Sequence, residues 1–502
     1  MKRYSKMLIG LYLIFAFFGC KEKEESNVMP PAPVDAVTIV LDANNILNDI
    51  ASKPFGINLN TLMDDQMNRP SGSKQLKEAL NDIGAKYLRF PGGEKSDVYM
   101  WASPPFISPT TSSLSRKSSQ DFPAGDTRFW NLTQNTWANS NYNFDEFMTD
   151  CISVGGEPVI VIALDGIYKP AFTGGTSLTR EVALEMAKKW VEYANIKKGY
   201  KIKYWSLGNE TWNKDSYAGA NPGFTQYGID VALFAKAMKE IDLTIKIGIN
   251  GENFRDFSEA LAQCSTWVDF LDVHAYPCFG FLNYSDYEKK DVEFNGIISA
   301  AKTALNNLPA IDRERIFIAM TEISAYGYKK GEWDNGANLG QSLANFELLA
   351  TLAMDSRIKF TQFWNSRWID NNSSTPQATD VFTADNKLNA NGKVLSILHK
   401  NVFDKMVAIT SGAKIKSFAS LNSKTGELVV FLLNKSQSSV SVNLSLENYK
   451  PQETVLQSLF GGTNTQDTQP IFRELTNLSV TNNKVELTSK PLSITILRLS
   501  KG

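Results

Sequence analysis

Residues 202–210 read IKYWSLGNE, an apolar segment that ends in glycine, asparagine and glutamate. Its apolar positions are continuous rather than alternating, which is typical of a parallel strand covered on both faces. Comparable segments recur along the chain on either side of it. Together they cover residues 55–60, 86–93, 157–164, 202–210, 245–252, 270–277, 315–323 and 360–368.

Helical patterns lie between these segments. Residues 178–198, 228–241 and 340–355 place apolar side chains near the helical period. Strands that alternate with helices in this way predict an α/β fold, a (β/α)8 TIM barrel. A doubly wound sheet is the alternative, but no phosphate-type glycine loop follows the first strand.

The C-terminal part of the chain has a different pattern. From residue 384 onward, short segments with alternating apolar positions are separated by turns rich in Asn, Gly, Ser and Lys. This predicts a second, smaller antiparallel β-sandwich domain over residues 384–502, with the barrel over 55–383. Residues 37–46, VTIVLDANNI, also read as a strand. We expect the segment 37–54 to join this sandwich.

The N-terminus predicts a targeting segment. Basic residues precede an apolar run over residues 7–19, which is too short to span a bilayer core of roughly 30 Å. Gly19 followed by Cys20 resembles a lipobox, which implies a lipoprotein signal peptide over 1–19 and lipidation of Cys20. A plain secretory signal is the alternative.

Residues 20–36 are charged and then proline-rich, which predicts a tether after the lipidated cysteine. Charged residues directly after Cys20 also resemble the surface-export signal of Bacteroidetes lipoproteins. We therefore expect a bacterial outer-membrane lipoprotein that faces the periplasm or the cell surface. Its membrane contact would be through the lipid anchor only.

The composition argues against nucleic-acid binding and against a zinc site. The 502 residues include 52 basic and 53 acidic side chains with no recurrent basic block, which argues against nucleic-acid binding. Two histidines, His274 and His399, and four cysteines leave little material for a zinc site. We expect no metal and no cofactor. The oligomeric state is not indicated.

Two glutamates lie where a barrel carries its chemistry, at the C-terminal ends of strands. Glu210 ends the fourth predicted strand, and Glu322 nearly ends the seventh. A carboxylate in apolar surroundings is costly, because burial penalises its charged form. Paired carboxylates of unequal pKa are what glycosidic cleavage requires. The alternative for each glutamate alone is a structural ion pair or a helix cap.

The order Gly208-Asn209-Glu210 at strand four, with Glu322 at strand seven, resembles the clan A retaining glycoside hydrolases. The resemblance implies that Glu210 is the acid/base and Glu322 the nucleophile. It also implies that Asn209 binds the sugar 2-hydroxyl. The expected reaction is a double displacement with retention, and the two carboxyl groups should lie roughly 5–5.5 Å apart.

The same resemblance implies substrate-binding roles on other strands. Arg89 on strand two would hold Glu322 ionised, and His274 and Tyr276 match the His-x-Tyr pair of strand six. Trp364 on strand eight matches the aromatic floor of the subsite that holds the cleaved sugar. For each residue alone, structural packing or ion pairing is the alternative.

Within the clan, the chain is most similar to the family 51 α-L-arabinofuranosidases. The matching stretches are FGIN (55–58), RFPGG (89–93) with Trp101 shortly after, and WSLGNETW (205–212). The resemblance implies an oligosaccharide or polysaccharide of plant or algal origin as substrate. It covers roughly residues 37–502.

One departure keeps other substrates open. The RFPGG turn is followed here by Glu94 and Lys95, where that family commonly has an asparagine. An endo-acting galactanase of agarase or porphyranase type, or a β-xylosidase, would use the same strand-end residues. Outside the enzymes, a lipid-anchored glycan-binding protein on the same barrel is the alternative.

Aromatic residues in the loops are candidates for sugar stacking or, equally, for local packing. They are Trp101, Phe106, Phe129, Trp130, Trp137 and Tyr142 after strand two, Trp212 and Tyr217 after strand four, and Tyr326, Tyr328 and Trp333 after strand seven.

Overall fold

The structure is a computed structural model of the full chain. It describes residues 36–50, 53–114, 130–131, 136–137, 140–168, 178–213, 221–277, 283–290, 296–325, 336–367 and 378–502. The predicted signal peptide, Cys20 and nearly all of the predicted tether lie outside these residues. So do Phe129, Tyr217, Tyr326, Tyr328 and Trp333, whereas Trp130 and Trp137 are described for the backbone only.

The described strands are as follows. In chain order they are β1 (Val37–Asp49), β2 (Phe55–Asn58), β3 (Tyr87–Phe90), β4 (Tyr99–Met100), β5 (Ser113–Leu114), β6 (Trp130–Asn131), β7 (Thr136–Trp137), β8 (Glu157–Ile162), β9 (Tyr204–Leu207), β10 (Lys246–Asn250), β11 (Phe270–Ala275), β12 (Phe317–Ile323), β13 (Ile358–Phe363), β14 (Lys405–Ile409), β15 (Ile415–Leu421), β16 (Leu428–Asn434), β17 (Val440–Glu447), β18 (Pro451–Gly461), β19 (Ile471–Glu474), β20 (Leu478–Ser479), β21 (Lys484–Ser489) and β22 (Ser493–Lys501).

The described α-helices alternate with the strands of the first part of the chain. They are α1 (Leu76–Ile83), α2 (Phe144–Ser153), α3 (Arg180–Val191), α4 (Phe224–Ile241), α5 (Phe254–Cys264), α6 (Tyr284–Lys289), α7 (Ile297–Asn306), α8 (Ala310–Arg315), α9 (Leu339–Ala353) and α10 (Ala390–Asn401).

Eight parallel strands close into a barrel in the order β2-β3-β8-β9-β10-β11-β12-β13, with β13 paired to β2. This confirms the predicted (β/α)8 barrel. Seven of the eight barrel strands end earlier than the predicted segments, and only β12 ends at the predicted residue, Ile323. Strand four ends at Leu207 rather than at Glu210, because the backbone of Gly208 turns into the left-handed region with φ of 80°.

The lower half of the barrel interior is filled by large rings. Tyr87, Tyr204, Phe270 and Phe360 come from four different strands and pack against one another, with the Tyr87 and Phe360 rings stacked 4.2 Å apart. These residues sit near the N-terminal ends of their strands. The polar side chains of the barrel are therefore directed to the opposite, C-terminal end.

The C-terminal strands form a ten-stranded sheet in which β1 lies between β14 and β17. Strand β1 runs antiparallel to β14 and parallel to β17, so the N-terminal segment joins the C-terminal domain as expected. Apolar residues from β1, β14–β18, β21 and β22 share one core cluster. The sheet thus folds over on itself and forms the second domain that the alternating pattern predicts.

Strand β16 departs from that alternating pattern, since all of its residues are buried. One face lies in the sandwich core, and the other carries Phe431 against the barrel. The ring of Phe346 on α9 lies 5.6 Å from Phe431 and 5.8 Å from Phe418. Because both faces of β16 are covered, continuous apolar residues are required here.

The boundary predicted at residue 384 needs correction. Residues 390–401 form helix α10, and the next strand of the sandwich begins only at Lys405. Helix α10 packs against α9 and α1, and its Val394, Leu395 and Leu398 are buried, so it is the last helix of the barrel. Its apolar side chains face the barrel at helical spacing rather than alternating as in a strand.

Within the described residues, no helix is long and apolar enough to cross a membrane.

Candidate active site

The predicted site residues converge at the C-terminal end of the barrel. Arg89, His274 and Glu322 lie within β3, β11 and β12, and His274 and Glu322 are paired in register across neighbouring strands. Asn209 and Glu210 follow β9 directly. Tyr276 follows β11, and Trp364 follows β13.

Arg89 organises the floor of the site. Its side chain is fully buried, and Nη1 donates to Oε1 of Glu322 at 2.7 Å and to Oδ1 of Asn58 at 2.9 Å. Nη2 donates to Oδ1 of Asn209 at 2.8 Å. A buried guanidinium in this position supplies positive charge and fixed geometry to both the nucleophile candidate and its neighbour.

Glu322 is held at both oxygens. Arg89 donates to Oε1, and the hydroxyl of Tyr276 donates to Oε2 at 2.9 Å. Donors on both oxygens fix the orientation of the carboxylate. This is the restraint that a nucleophilic carboxylate needs.

Glu210 faces Glu322 across the mouth of the barrel, with two strands between β9 and β12. Oε1 lies 2.9 Å from Nδ1 of His274, and Oε2 accepts from Nδ2 of Asn213 at 3.2 Å. Burial alone raises the pKa of Glu210, but the hydrogen bond and the charge of His274 outweigh burial and leave the pKa below its usual value.

His274 is the positive partner of three carboxylates. Nδ1 lies 3.5 Å from Oε2 of Glu322 and Nε2 lies 3.2 Å from Oδ1 of Asp272, in addition to the contact with Glu210. Burial lowers the pKa of His274, but the charge of Glu322 and the bonds to Asp272 and Glu210 raise it to about 10. The imidazole is therefore protonated on both nitrogens at neutral pH.

Asp272 keeps His274 in place from below. It is fully buried and accepts hydrogen bonds from the hydroxyls of Ser206 and Thr321. Burial raises the pKa of Asp272, yet His274 and Arg89 outweigh it and hold the pKa below its usual range. The carboxylate is ionised and fixes the ring orientation.

One oxygen of Glu210, one oxygen of Glu322 and a ring nitrogen of His274 lie within 4.8 Å of one another. This is also the spacing of a metal-ligand set. However, a ring nitrogen that carries a proton has no lone pair for a metal, and both nitrogens of His274 face carboxylates. The geometry fits proton transfer better than metal binding.

Asn209 presents an open donor. Its Oδ1 accepts from Arg89, whereas its buried Nδ2 has no hydrogen-bond partner among the described residues. A buried donor without a partner is costly unless a ligand satisfies it. A sugar hydroxyl beside Glu210 is the type of acceptor that would do so.

Trp364 and Lys95 form one wall of the site. Trp364 is nearly buried, and its ring lies so close to Gly93 that a Cβ there would be 2.2 Å from Cη2. The Nζ of Lys95 lies 5.4 Å from the centroid of the ring. Burial lowers the pKa of Lys95, while the charges of Glu94, Glu322 and Glu210 oppose this effect.

The aromatic loop residues divide into two groups. Trp101, Phe106 and Tyr142 are buried, and the Trp101 ring stacks on Trp190 at 5.8 Å, so these residues pack the loop on the barrel rather than line the mouth. Trp212, by contrast, lies edge-on to His274 with centroids 5.7 Å apart. It is a residue of the site.

Several functional side chains lie outside the predicted set. Asp272 precedes His274 by two positions in an otherwise apolar strand. This spacing places both side chains on one face of the strand and is a sequence signal for Asp272. Asn58 is likewise a polar residue at the end of an apolar segment, FGIN. The others are Lys95 and the buried pair Asp97 and Asp165, whose proximity depends on how the loops fold.

Comparison with known proteins places this site in context. No protein-family model matches the chain. A probable α-L-arabinofuranosidase C of Aspergillus fumigatus is 27% identical over 235 residues, covering 41% of this chain. The chain spans about 40% of the length of that relative. The sequence is similar to α-L-arabinofuranosidases.

Solved structures agree on the fold. The α-L-arabinofuranosidase of Thermotoga maritima in complex with arabinose aligns with a TM-score of 0.71 at 16% identity, over 92% of this chain and 99% of that chain. The family 51 arabinofuranosidase of Xanthomonas axonopodis aligns with a TM-score of 0.62 at 15% identity, over 92% and 99%. The resemblance to these enzymes that the strand-end residues predict is confirmed, and at these identities it concerns the fold.

Proposed function

We propose that the protein is a retaining glycoside hydrolase of the α-L-arabinofuranosidase type. The observation that carries this proposal is the short gap between the carboxylates of Glu210 and Glu322, whose nearest oxygens lie within 4.8 Å of each other. Retaining enzymes have carboxyl groups about 5–5.5 Å apart, whereas inverting enzymes leave about 6.5–9.5 Å for a water molecule.

In the first step, a carboxylate oxygen of Glu322 attacks the anomeric carbon and forms an ester bond. The bond between that carbon and the leaving oxygen breaks, and the leaving oxygen takes a proton from Glu210. In the free protein this proton is held between Glu210 and Nδ1 of His274, 2.9 Å apart. Asn209 donates from Nδ2 to the hydroxyl next to the reacting carbon.

His274 couples the two carboxylates during this step. The charge of Glu322 is the largest of the effects that raise the pKa of His274. When Glu322 becomes an ester, that charge disappears and the pKa of His274 falls. One proton therefore passes from Nδ1 through Glu210 to the leaving oxygen, and Glu210 ends the step as a carboxylate.

In the second step, water attacks the anomeric carbon from the side of Glu210. Glu210 accepts a proton from this water and returns it to Nδ1 of His274, while the ester bond breaks and Glu322 leaves as a carboxylate. Arg89 and Tyr276 restore its two hydrogen bonds. The cycle needs no cofactor, since every proton and electron pair is held by these side chains.

The substrate is proposed to be an arabinofuranosyl group on a plant or algal glycan, because the relative found by sequence is a probable arabinofuranosidase. A second candidate is favoured by Glu94 and Lys95, since Lys95 lies over Trp364 in the wall of the subsite. With these residues a galactan of agar or porphyran type, or a β-xyloside, is the alternative substrate.

We also propose that Cys20 is lipidated and anchors the protein to the bacterial outer membrane, facing the periplasm or the cell surface. The basic start, the apolar run over residues 7–19 and Gly19 support this proposal. Metabolic labelling with palmitate tests it. Label should be present in the wild type and absent in Cys20→Ser.

Hydrolysis of a panel of nitrophenyl glycosides and of plant and red-algal polysaccharides tests the activity. Release of arabinose that Glu322→Ala abolishes supports the arabinofuranosidase assignment. Oligosaccharides from agar or porphyran, without action on small arabinosides, move the substrate to galactans. Inactivity of the wild type on the whole panel, combined with glycan binding, favours a lipid-anchored glycan-binding protein.

A further inference from the structure

The backbone that carries Glu210 is bent sharply. Gly208 has φ of 80° and Glu210 itself has φ of 48°, in the left-handed region that side chains other than glycine rarely adopt. A residue in that region persists only where its surroundings hold it. The contacts that hold this bend therefore decide where the Glu210 carboxyl lies.

Asp165 holds the bend on both sides of Glu210. Its Oδ2 accepts from the backbone N–H of Asn209 at 2.6 Å, and its Oδ1 accepts from the hydroxyl of Thr211 at 2.7 Å. The backbone N–H of Thr211 is held separately, by Oδ1 of Asn250 at 2.9 Å. The residues before and after Glu210 are thus both fixed by the same carboxylate.

The fit around Asp165 is close. A Cβ at Gly208 would lie 2.4 Å from Oδ2 of Asp165, so the carboxylate is packed directly against the bend. Asp165 follows strand β8 in the segment after Ile162, and its side chain is almost completely buried. It reaches the bend from the neighbouring strand of the barrel.

A second carboxyl lies beneath the first. Asp97 is fully buried and hydrogen-bonded to Asp165, which requires one proton between the two groups. Burial and the charge of Asp165 raise the pKa of Asp97 well above its usual range. Burial raises the pKa of Asp165 to about 6, against the hydrogen bonds from Thr211, Asn209 and Asp97. The proton therefore resides on Asp97, which donates to Asp165.

We propose that Asp165, supported by Asp97, is a positioning residue that sets the place of the acid/base Glu210 by fixing Asn209 and Thr211. This inference rests on the proposed function, because it assigns the pair a task in the protonation of the leaving group. Neither aspartate contacts the reacting atoms. Their effect passes through the backbone of residues 208–211.

The leaving group provides the test. A displaced acid slows departure of a poor leaving group such as phenol, whereas 2,5-dinitrophenol departs without protonation. The measurement is kcat/KM for the phenyl and the 2,5-dinitrophenyl glycosides of the sugar that the wild type releases. Variants are Asp165→Asn, Asp97→Asn and Asp97→Leu, with Asp269→Asn as matched control for a buried aspartate at the opposite end of the barrel.

Asp165→Asn is expected to lose on the order of 10²-fold on the phenyl glycoside and less than about tenfold on the dinitrophenyl glycoside. Asp97→Leu should show the same pattern of losses on the two glycosides, because it removes the side chain that donates to Asp165. Asp97→Asn should stay close to the wild type, because the amide N–H still donates. Asp269→Asn should leave the ratio of the two kcat/KM values unchanged.

Equal losses on both substrates for Asp165→Asn would overturn the inference. If Asp165→Asn does not fold, Thr211→Val removes one of the two bonds to Asp165 and must show the same ratio change. Glu210→Gln distinguishes a failure of the positioning role of Asp165 from a failure of the acid/base assignment. If Glu210→Gln shows the leaving-group dependence and Asp165→Asn does not, only the positioning role fails. If Glu210→Gln shows none, the assignment of the acid/base itself fails.

Discussion

Nδ1 of His274 lies 2.9 Å from Oε1 of Glu210, inside hydrogen-bond distance and in a buried environment. The two groups share one proton, and in the free protein the histidine holds it. The proposed acid/base is therefore an imidazolium–carboxylate pair rather than an isolated glutamate with a raised pKa. Its readiness to protonate a leaving group depends on the charge of Glu322 nearby.

This pair makes a direct prediction for the histidine titrations. The chain has two histidines, and they are shifted in opposite directions. The pKa of His274 is raised to about 10 by Glu322, Asp272 and Glu210 against burial, whereas burial and the charges of Lys53 and Lys400 lower the pKa of His399 to about 4. We expect one ring resonance to titrate near each value by NMR, with His399→Asn for assignment.

Loss of the Glu322 charge should lower the pKa of His274. In Glu322→Gln we expect the pKa of His274 to fall toward its ordinary value of 6.5, because the largest effect that raises it is removed. A His274 titration near 6.5 in the wild type would contradict the proton-sharing pair.

The two histidines make the free energy of unfolding depend on pH in opposite directions. His274 has a folded pKa above its unfolded value, so its contribution to the free energy of unfolding is fully present below about pH 6.5 and is lost as the pH rises toward about 10. His399 has a folded pKa below its unfolded value. Its contribution is lost as the pH falls from about 6.5 toward about 4. Relative to that of His399→Asn, the thermal unfolding midpoint of the wild type should fall as the pH drops from about 6.5 to about 4.

Removal of Arg89 should damage both stability and activity. Arg89→Met leaves the buried carboxylate of Glu322 without its cation, which costs about 3–5 kcal/mol in the free energy of unfolding. Activity should fall on the order of 10²-fold, because the proposed nucleophile is no longer held in its orientation. Denaturant unfolding and kcat/KM measure the two effects.

The control is Arg255→Met. Arg255 forms an exposed pair with Glu259 one helical turn away, so neither quantity should change measurably. A loss for Arg89→Met no larger than that for Arg255→Met would show that the buried network does not organise the site.

Lys95 should decide how tightly the sugar binds. A hydrogen bond from a charged group contributes about 1.5–3 kcal/mol, so Lys95→Met is expected to raise KM on the preferred glycoside at least about tenfold. kcat should change less than KM, since Lys95 lies on the wall rather than at the reacting carbon. Initial-rate kinetics separate the two constants.

Lys236→Met, on the exposed face of α4, is the matched control and should leave KM unchanged. A Lys95→Met variant with wild-type KM on every substrate of the panel would exclude Lys95 as a specificity residue.

Much of the fold was predictable because the signal is local. Each barrel strand is a continuous apolar run, and the polar residues that interrupt these runs at the C-terminal ends, such as Arg89 and Glu322, are those that meet in the mouth. Strand order then brings them together without further information.

What the sequence did not predict depends on long-range packing. The sequence pattern assigns the residues of α10 to the sandwich, because a short amphipathic segment does not reveal which partner covers its apolar side. The role of Asp165 likewise depends on the bend at Gly208, which places a carboxylate of one strand under the backbone of the next. Trp101 could be a sugar platform or core by composition alone, and its stacking on Trp190 decides the matter.

The most direct test of the double displacement is the stereochemistry of transfer. The wild type is incubated with 4-nitrophenyl α-L-arabinofuranoside, or the nitrophenyl glycoside that it cleaves best, in the presence of methanol. The methyl glycoside is then identified by NMR. Retention, with the methyl glycoside in the anomeric form of the substrate, is the predicted result, since Glu210 and Glu322 lie too close for an intervening water. A first product of inverted configuration would contradict it.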